Sequence, residues 1–157
     1  MAVSAARRAP LAPLMSTRGY AEAVSEKLSL SLILPHAALF EGEVTQVNIN
    51  STSGEMGILA AHVPSIEQLA PGLLEVFEAN GTKKWFVSGG FATVHPNNKL
   101  SVNAIEAYEL DQFSPEAVRS SLAEAQRVAS GAGSPEAKAE AEIEVEVYTA
   151  LQAALAK

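Results

Sequence analysis

Through the middle of the chain apolar and polar residues alternate, and toward its end their period lengthens. Leu28, Leu30, Leu32 and Leu34 are spaced by two with Ser29 and Ser31 between the first three, which predicts a strand with one buried face. Pro35 closes it. Val44, Val47 and Ile49 mark a second extended run whose phase slips at Thr45-Gln46, so a bulge is expected there. Leu73 to Phe77 and Thr82 to Val87 flank Asn80-Gly81, a strong hairpin signal, and Phe91 to Val94 and Leu100 to Ile105 flank the turn Pro96-Asn97-Asn98. Short strands with turns this frequent predict a small antiparallel sandwich or barrel over about residues 26–106.

From Ser114 the pattern becomes helical. Ser114-Pro115-Glu116 supplies a cap hydroxyl, a proline at the first helical position and an acid in the first turn. Val118, Ser121, Leu122, Ala125 and Val128 then form one narrow face, and Ser130 to Gly133 stops the helix. Ser134-Pro135-Glu136 repeats the start signal, so the chain turns back in a second helix running to Leu155. Ala139 to Val147 resists this, because glutamates alternate there with apolar residues as in a strand. Helix is preferred, since alanine-rich sequence without glycine or proline continues far beyond the usual strand of about 5 or 6 residues. The fold class expected is α+β in two parts, an antiparallel β-sandwich at 21–110 followed by an antiparallel two-helix hairpin at 111–157.

Composition removes several classes of function. A chain of 157 residues, 48 % hydrophobic, suits one ordinary domain or two small ones. It has no cysteine, which excludes disulfide staples and thiolate-held metal sites. A net charge of -7 argues against nucleic acid as a partner, since that affinity rests on lysine and arginine. Residues 1–20 stand apart, with Arg7, Arg8 and Arg18 and no acid, and Pro10 and Pro13 interrupt their apolar run. This reads as a mitochondrial transit peptide cleaved near Tyr20 or Ala21, the other reading being a basic arm kept in the mature protein.

The densest punctuation, GEMGILAAHVPSIEQLAPG from Gly54 to Gly72, encloses His62. A catalytic histidine needs a nucleophile and an orienting carboxylate, and the chain has no G-x-S-x-G motif. His36 and His95 stand at none of the close spacings that put two imidazoles on one face, so no metal site is expected. The glycines precede no lysine and no helix start, which excludes a phosphate cradle. No cofactor and no catalytic residue is therefore expected. Gly57, Pro64, Pro71, Gly72, Gly89 and Gly90 are read as structural turns.

Gly54-Glu55-Met56-Gly57-Ile58, His62-Val63-Pro64, Leu69-Ala70-Pro71-Gly72, Ser88-Gly89-Gly90-Phe91 and Pro96-Asn97-Asn98, in that order, resemble the delta/epsilon subunit family of ATP synthases over residues 26–157. In mitochondria the family's member is called delta, in bacteria and chloroplasts epsilon. The resemblance implies a non-catalytic subunit at the foot of the rotating central stalk, on the matrix side of the mitochondrial inner membrane. It would bind the gamma subunit, the small mitochondrial epsilon subunit and the c-ring, reaching the membrane through the ring without spanning it. The family's ring-facing loop matches Ser53, Gly54, Glu55 and Met56, and His62 matches an adjoining turn near the stalk. Some bacterial relatives bind ATP between the two helices, at a leucine-aspartate, two variable residues, then arginine-alanine. Here that stretch reads Phe113 to Arg119, without the aspartate or the arginine-alanine pair. An ATP-binding regulatory module is the alternative reading, and a small β-barrel hydrolase or metal enzyme built on His62 is a third.

Overall fold

The leucines spaced by two place their side chains on one face of Leu28–Ile33 (β1), and that face defines the core. The computed structural model describes residues 26–157, so the basic segment 1–20 and its expected cleavage site lie outside the described residues. After β1 come Ala38–Val44 (β2), Gln46–Ser51 (β3), Gly54–Leu59 (β4), Ser65–Leu69 (β5), Gly72–Glu78 (β6), Gly81–Val87 (β7), Gly90–His95 (β8), Lys99–Ala104 (β9) and Ala107–Glu109 (β10). A short 3-10 turn, Leu110–Gln112, leads to Pro115–Ser130 (α1) and Pro135–Leu155 (α2).

The strands form two layers. One runs β10-β7-β6-β3-β4 and the other β5-β8-β9-β1-β2, and Ser51 opposite Leu69 joins them. The pairings are antiparallel, as expected, except β1 with β9, which is parallel. The phase slip at Thr45-Gln46 is a corner and not a bulge. There the chain leaves the layer in which β2 pairs with β1 and enters the layer in which β3 pairs with β6. Both the N–H and the hydroxyl of Thr45 donate to the Phe77 carbonyl at 2.8 Å, fixing the crossing.

Leu28, Leu30, Leu32, Val47, Val76 and Val102 meet between the layers with almost no exposure. Each such side chain contributes about 1.5–3 kcal/mol when fully buried. Trp85 and Phe86 leave β7 on opposite sides, as the alternation requires, and both are buried. Trp85 belongs to the core between the layers. Phe86 belongs to a second core, with Leu73 of β6, Val118 of α1, and Val147, Leu151 and Ala154 of α2. The helix hairpin is therefore docked on the outer face of β6 and β7, where Phe113 stands edge-on to both Phe86 and Tyr108.

Both helix starts take the form their sequence announced. Ser114 Oγ accepts from the Ala117 N–H at 3.4 Å and Ser134 Oγ from the Ala137 N–H at 3.2 Å. The helices meet through small residues, with Ala125 and Ala141 buried. The alternating stretch of α2 is helical, and Glu140, Glu142, Glu144 and Glu146 are all solvent-exposed. A single helix turn cannot bury alternate residues on one side, so Ile143 is exposed as well.

Candidate functional site

The β3–β4 turn at Thr52-Ser53 forms a rigid tip. Ser51, buried at its base, donates from Oγ to the Gly54 carbonyl at 2.8 Å, and its Oγ accepts from the Ser53 N–H at 3.3 Å. The Thr52 N–H donates to the Gln68 carbonyl and the Ala70 N–H to the Asn50 carbonyl, while Asn50 Nδ2 bonds the Pro71 carbonyl at 3.0 Å. Gly54 takes φ +127°, a value side chains resist, and this lets the chain reverse above Ser51. Ser51 and Asn50 were not singled out in the sequence. The run Ser-Thr-Ser-Gly was the available signal, since serines close such turns on their own backbone.

The residues proposed for partner contact divide into three. Ser53 and Glu55 face solvent at the tip, and Glu55 pairs with Lys157 at 3.0 Å. Met56 does not, because alternation along β4 turns it inward against the core. His62 is not beside the tip. It follows the far end of β4, where Leu59 opposes Gln46, about 17 Å from Gly54 at the usual strand rise. The turn there is fixed from across the sandwich by Asn98 Oδ1, which accepts from the Ala61 N–H at 2.6 Å. The Leu59 carbonyl accepts from the His62 N–H, and Nδ1 of its ring meets only the carbonyl of Val63. Among the described residues no side chain hydrogen-bonds its ring, and no three histidines or carboxylates gather as a metal site would need.

Three of the glycines read as turns are strand residues, Gly90 opening β8 as well as the two that follow. Gly57 lies within β4 opposite Asn48, and Gly72 opens β6. Space is their constraint. A Cβ at Gly57 would come 3.1 Å from both Asn48 Oδ1 and Gln46 Nε2, and one at Gly72 would come 2.6 Å from Asn50 Nδ2. Those carboxamides line the outer face of β3, joined through Asn48 to Glu75 and from Glu75 to Lys84. Pro64 and Pro71 lie between strands, and Gly89 and Gly90 take φ of +156° and +136°.

A further surface emerges only from the register. On the outer face of the second layer, Phe91 stands opposite Gln68 and Asn103. Ile66, two positions along β5, and Ile105, two along from Asn103, are its diagonal neighbours. Ile66 is 73 % exposed, Phe91 53 % and Ile105 62 %. Around them Gln68, Thr93, Ser101 and Asn103 carry no charge, in a chain whose net charge is -7.

At the hairpin, an open depression of about 180 Å³ lies between the start of α1 and the end of α2, lined by Pro115, Val118, Arg119, Gln152, Leu155 and Ala156. Arg119 is its one cation and makes no ion pair with Glu116, although helical spacing would allow it. The pair formed in α1 is Arg127 with Glu124 instead.

Comparison with known proteins gives matches over nearly the whole described chain. Residues 27–109 match the family profile "ATP synthase, Delta/Epsilon chain, beta-sandwich domain", and residues 113–153 match "Fungal epsilon subunit of F1F0-ATP synthase C-terminal domain". The mitochondrial ATP synthase subunit delta of Agaricus bisporus is 60 % identical over 155 residues, covering 98 % of this chain and 95 % of the relative. That of Neurospora crassa is 58 % identical, covering 94 % and 88 %. Among solved structures, a chain of the Euglena gracilis mitochondrial ATP synthase, in an assembly of OSCP, F1 and c-ring, superposes with a TM-score of 0.80 at 28 % identity, covering 95 % of this chain and 91 % of that one.

Proposed function

The chain belongs to the delta/epsilon family of ATP synthase subunits, non-catalytic members of the stalk, and from that premise we propose that it is the piece coupling c-ring rotation to the gamma subunit in a mitochondrial enzyme. In this reading residues 1–20 are removed on import, 21–110 form the coupling body on the matrix side of the inner membrane, and 111–157 form a docking surface for the gamma and small epsilon subunits. The tip at Ser53 and Glu55 rests on polar loops of the c-ring, and His62 lies at the opposite end, nearer the stalk. A part that carries torque needs a stiff body and broad contact surfaces. Two packed sheet layers provide the first.

The observation that carries the reading is the uncharged apolar row Ile66–Phe91–Ile105, left uncovered on the outer face of the second layer. Exposed patches of this kind mark contact surfaces, and this one lies on the layer away from the helix hairpin. The double substitution Ile66→Glu and Phe91→Glu tests it. Both side chains are exposed, so the isolated chain should fold and melt as the wild type does, while its incorporation into the ATP synthase should be lost. Normal assembly of the double variant would remove this support. An ATP-binding hairpin has less in its favour, since its depression offers Arg119 alone and α2 places five glutamates against Lys138.

A further inference from the structure

An unpaired strand edge exposes a row of N–H and C=O groups, and folds commonly blunt it by shortness, charge, proline or a bulge. The two layers have four edges, and three of them are blunted. β10 has only three residues. β2 carries Glu41 and Glu43, and its register against β1 slips between Leu32 and Ile33. β5 follows Pro64 and is tied to β3 where Leu69 meets Ser51. β4 is the exception. It runs regularly opposite β3 over six pairs, and among the described residues it pairs with no other strand. Its sequence, GEMGIL, has no proline, and Glu55 is its one charge.

Gly57, near the middle of this edge, is exposed and leaves a gap on the outer face. A depression of about 240 Å³ opens there, with Gln46, Asn48, Gly57 and Glu75 among its lining. Gln46 Nε2 donates to Asn48 Oδ1 at 2.6 Å, and Asn48 Nδ2 to Glu75 Oε2 at 3.2 Å. Glu75 is paired with Lys84 and Glu55 with Lys157, so the hollow is balanced in charge. What it keeps for a visitor is the acceptor Gln46 Oε1, which meets no donor among the described residues.

We propose that β4 is a pairing edge for an extended segment of a partner subunit, which adds a strand along Gly54–Leu59 and lays an amide or hydroxyl side chain into the hollow over Gly57. The main-chain groups of the edge would bind any extended segment. The hollow selects among them. A residue opposite Gly57 on the added strand sits about 5 Å away across the pair. With no Cβ at Gly57, its side chain can fold across the edge to Gln46. An uncharged donor matches the acceptor there, whereas a lysine would bring a charge for which no carboxylate is left unpaired. The inference rests on the reading of this chain as a stalk subunit, whose neighbours supply the segment, and it uses a surface apart from the Ile66–Phe91–Ile105 row.

Hydrogen exchange resolved to single amides, on the isolated chain and on the same tagged chain in purified ATP synthase, provides the test. Alternate amides of β4 face away from β3 and should exchange freely in the isolated chain. In the enzyme that same set should slow by about tenfold or more, as amides do when they enter a strand ladder. Gly57→Ala sets a methyl against the ends of Gln46 and Asn48 without asking for positive φ, so the variant should fold. Expressed beside the wild type, it should enter the enzyme less often. The exchange measurement needs no substitution and decides the matter whether or not the variant folds. Outward amides that exchange as fast in the enzyme as in the isolated chain, or a folded Gly57→Ala chain that competes equally with wild type, would overturn the proposal. Failure of the parent reading looks different, because the tagged chain would then be missing from the purified enzyme and both would fall.

Discussion

Gly90 and His62 show how differently two prominent residues depend on their surroundings. Gly90 has φ +136°, and a Cβ there would lie 2.1 Å from the Asn103 carbonyl oxygen of the neighbouring strand. Gly90→Ala should therefore cost at least about 2 kcal/mol, by backbone strain and by forcing β8 from β9. Gly57→Val should cost about 1–3 kcal/mol by displacing Gln46 and Asn48, with no contribution from positive φ. His62→Ala removes a ring whose partner is the adjoining carbonyl, and should stay within about 0.5 kcal/mol. Urea denaturation of the isolated chain measures all three, and a His62→Ala loss larger than that of Gly90→Ala would reverse this order. The sequence shows a glycine at 57 and at 90 alike. What separates them is what stands across the sheet, the Asn48 side chain in one case and the backbone of Asn103-Ala104 in the other, and that depends on a register no local pattern encodes.

At the scale of elements, the two serine caps are independent sources of helix stability. Ser114→Ala and Ser134→Ala should each cost about 1 kcal/mol, seen as a lower midpoint for loss of the helical circular-dichroism signal. Acid should act on the same helices. Hydrogen bonds from its own backbone and from Ser134 hold the Glu136 carboxyl below the usual carboxylate range, and a hydrogen bond with Arg127 does the same for Glu124. A carboxyl with a lowered folded pKa takes up its proton first in the unfolded chain. Its contribution is complete above the ordinary carboxylate range and is lost as pH falls through the folded value. Helical signal should accordingly decline in acid below that range, and 1 M salt should weaken the Glu124 part by screening. A helix signal unchanged into strong acid would contradict this. The starts of both helices were legible because a cap acts within four residues. β4 and β5 were concealed, since glycine, proline and the inward Met56 break their alternation, and the Val44 to Gln46 slip needed the second layer to be recognised as a corner.

Over the whole molecule, the order sandwich then hairpin could be read from the change of period, but not which surfaces the two parts share. That the tip and His62 lie at opposite ends follows from β4 being a strand, and that Trp85 and Phe86 serve different cores follows from the hairpin covering one face of β7 alone. This division has a measurable consequence. The core between the layers is built from strand residues, whereas Phe86 is buried in a second core that Val118, Leu151 and Ala154 of the helices share. Truncation after Asp111 should leave the sandwich folded while uncovering Phe86 and Leu73, and should weaken association with stalk partners. Phe86→Ala tests the same division without shortening the chain. Loss of a buried phenylalanine costs about 3–5 kcal/mol, and here it falls on the hairpin's docking and not on the sandwich. The single tryptophan gives the readout, because Trp85 sits in the first core beside Phe40 and the helical signal comes from α1 and α2. On heating, Phe86→Ala should lose helical signal well before Trp85 fluorescence shifts to the red, whereas the wild type should lose both over a narrower range. Coincident transitions in the variant, both lowered together, would mean that the two cores fold as one unit and that the hairpin is integral to the body it rests on.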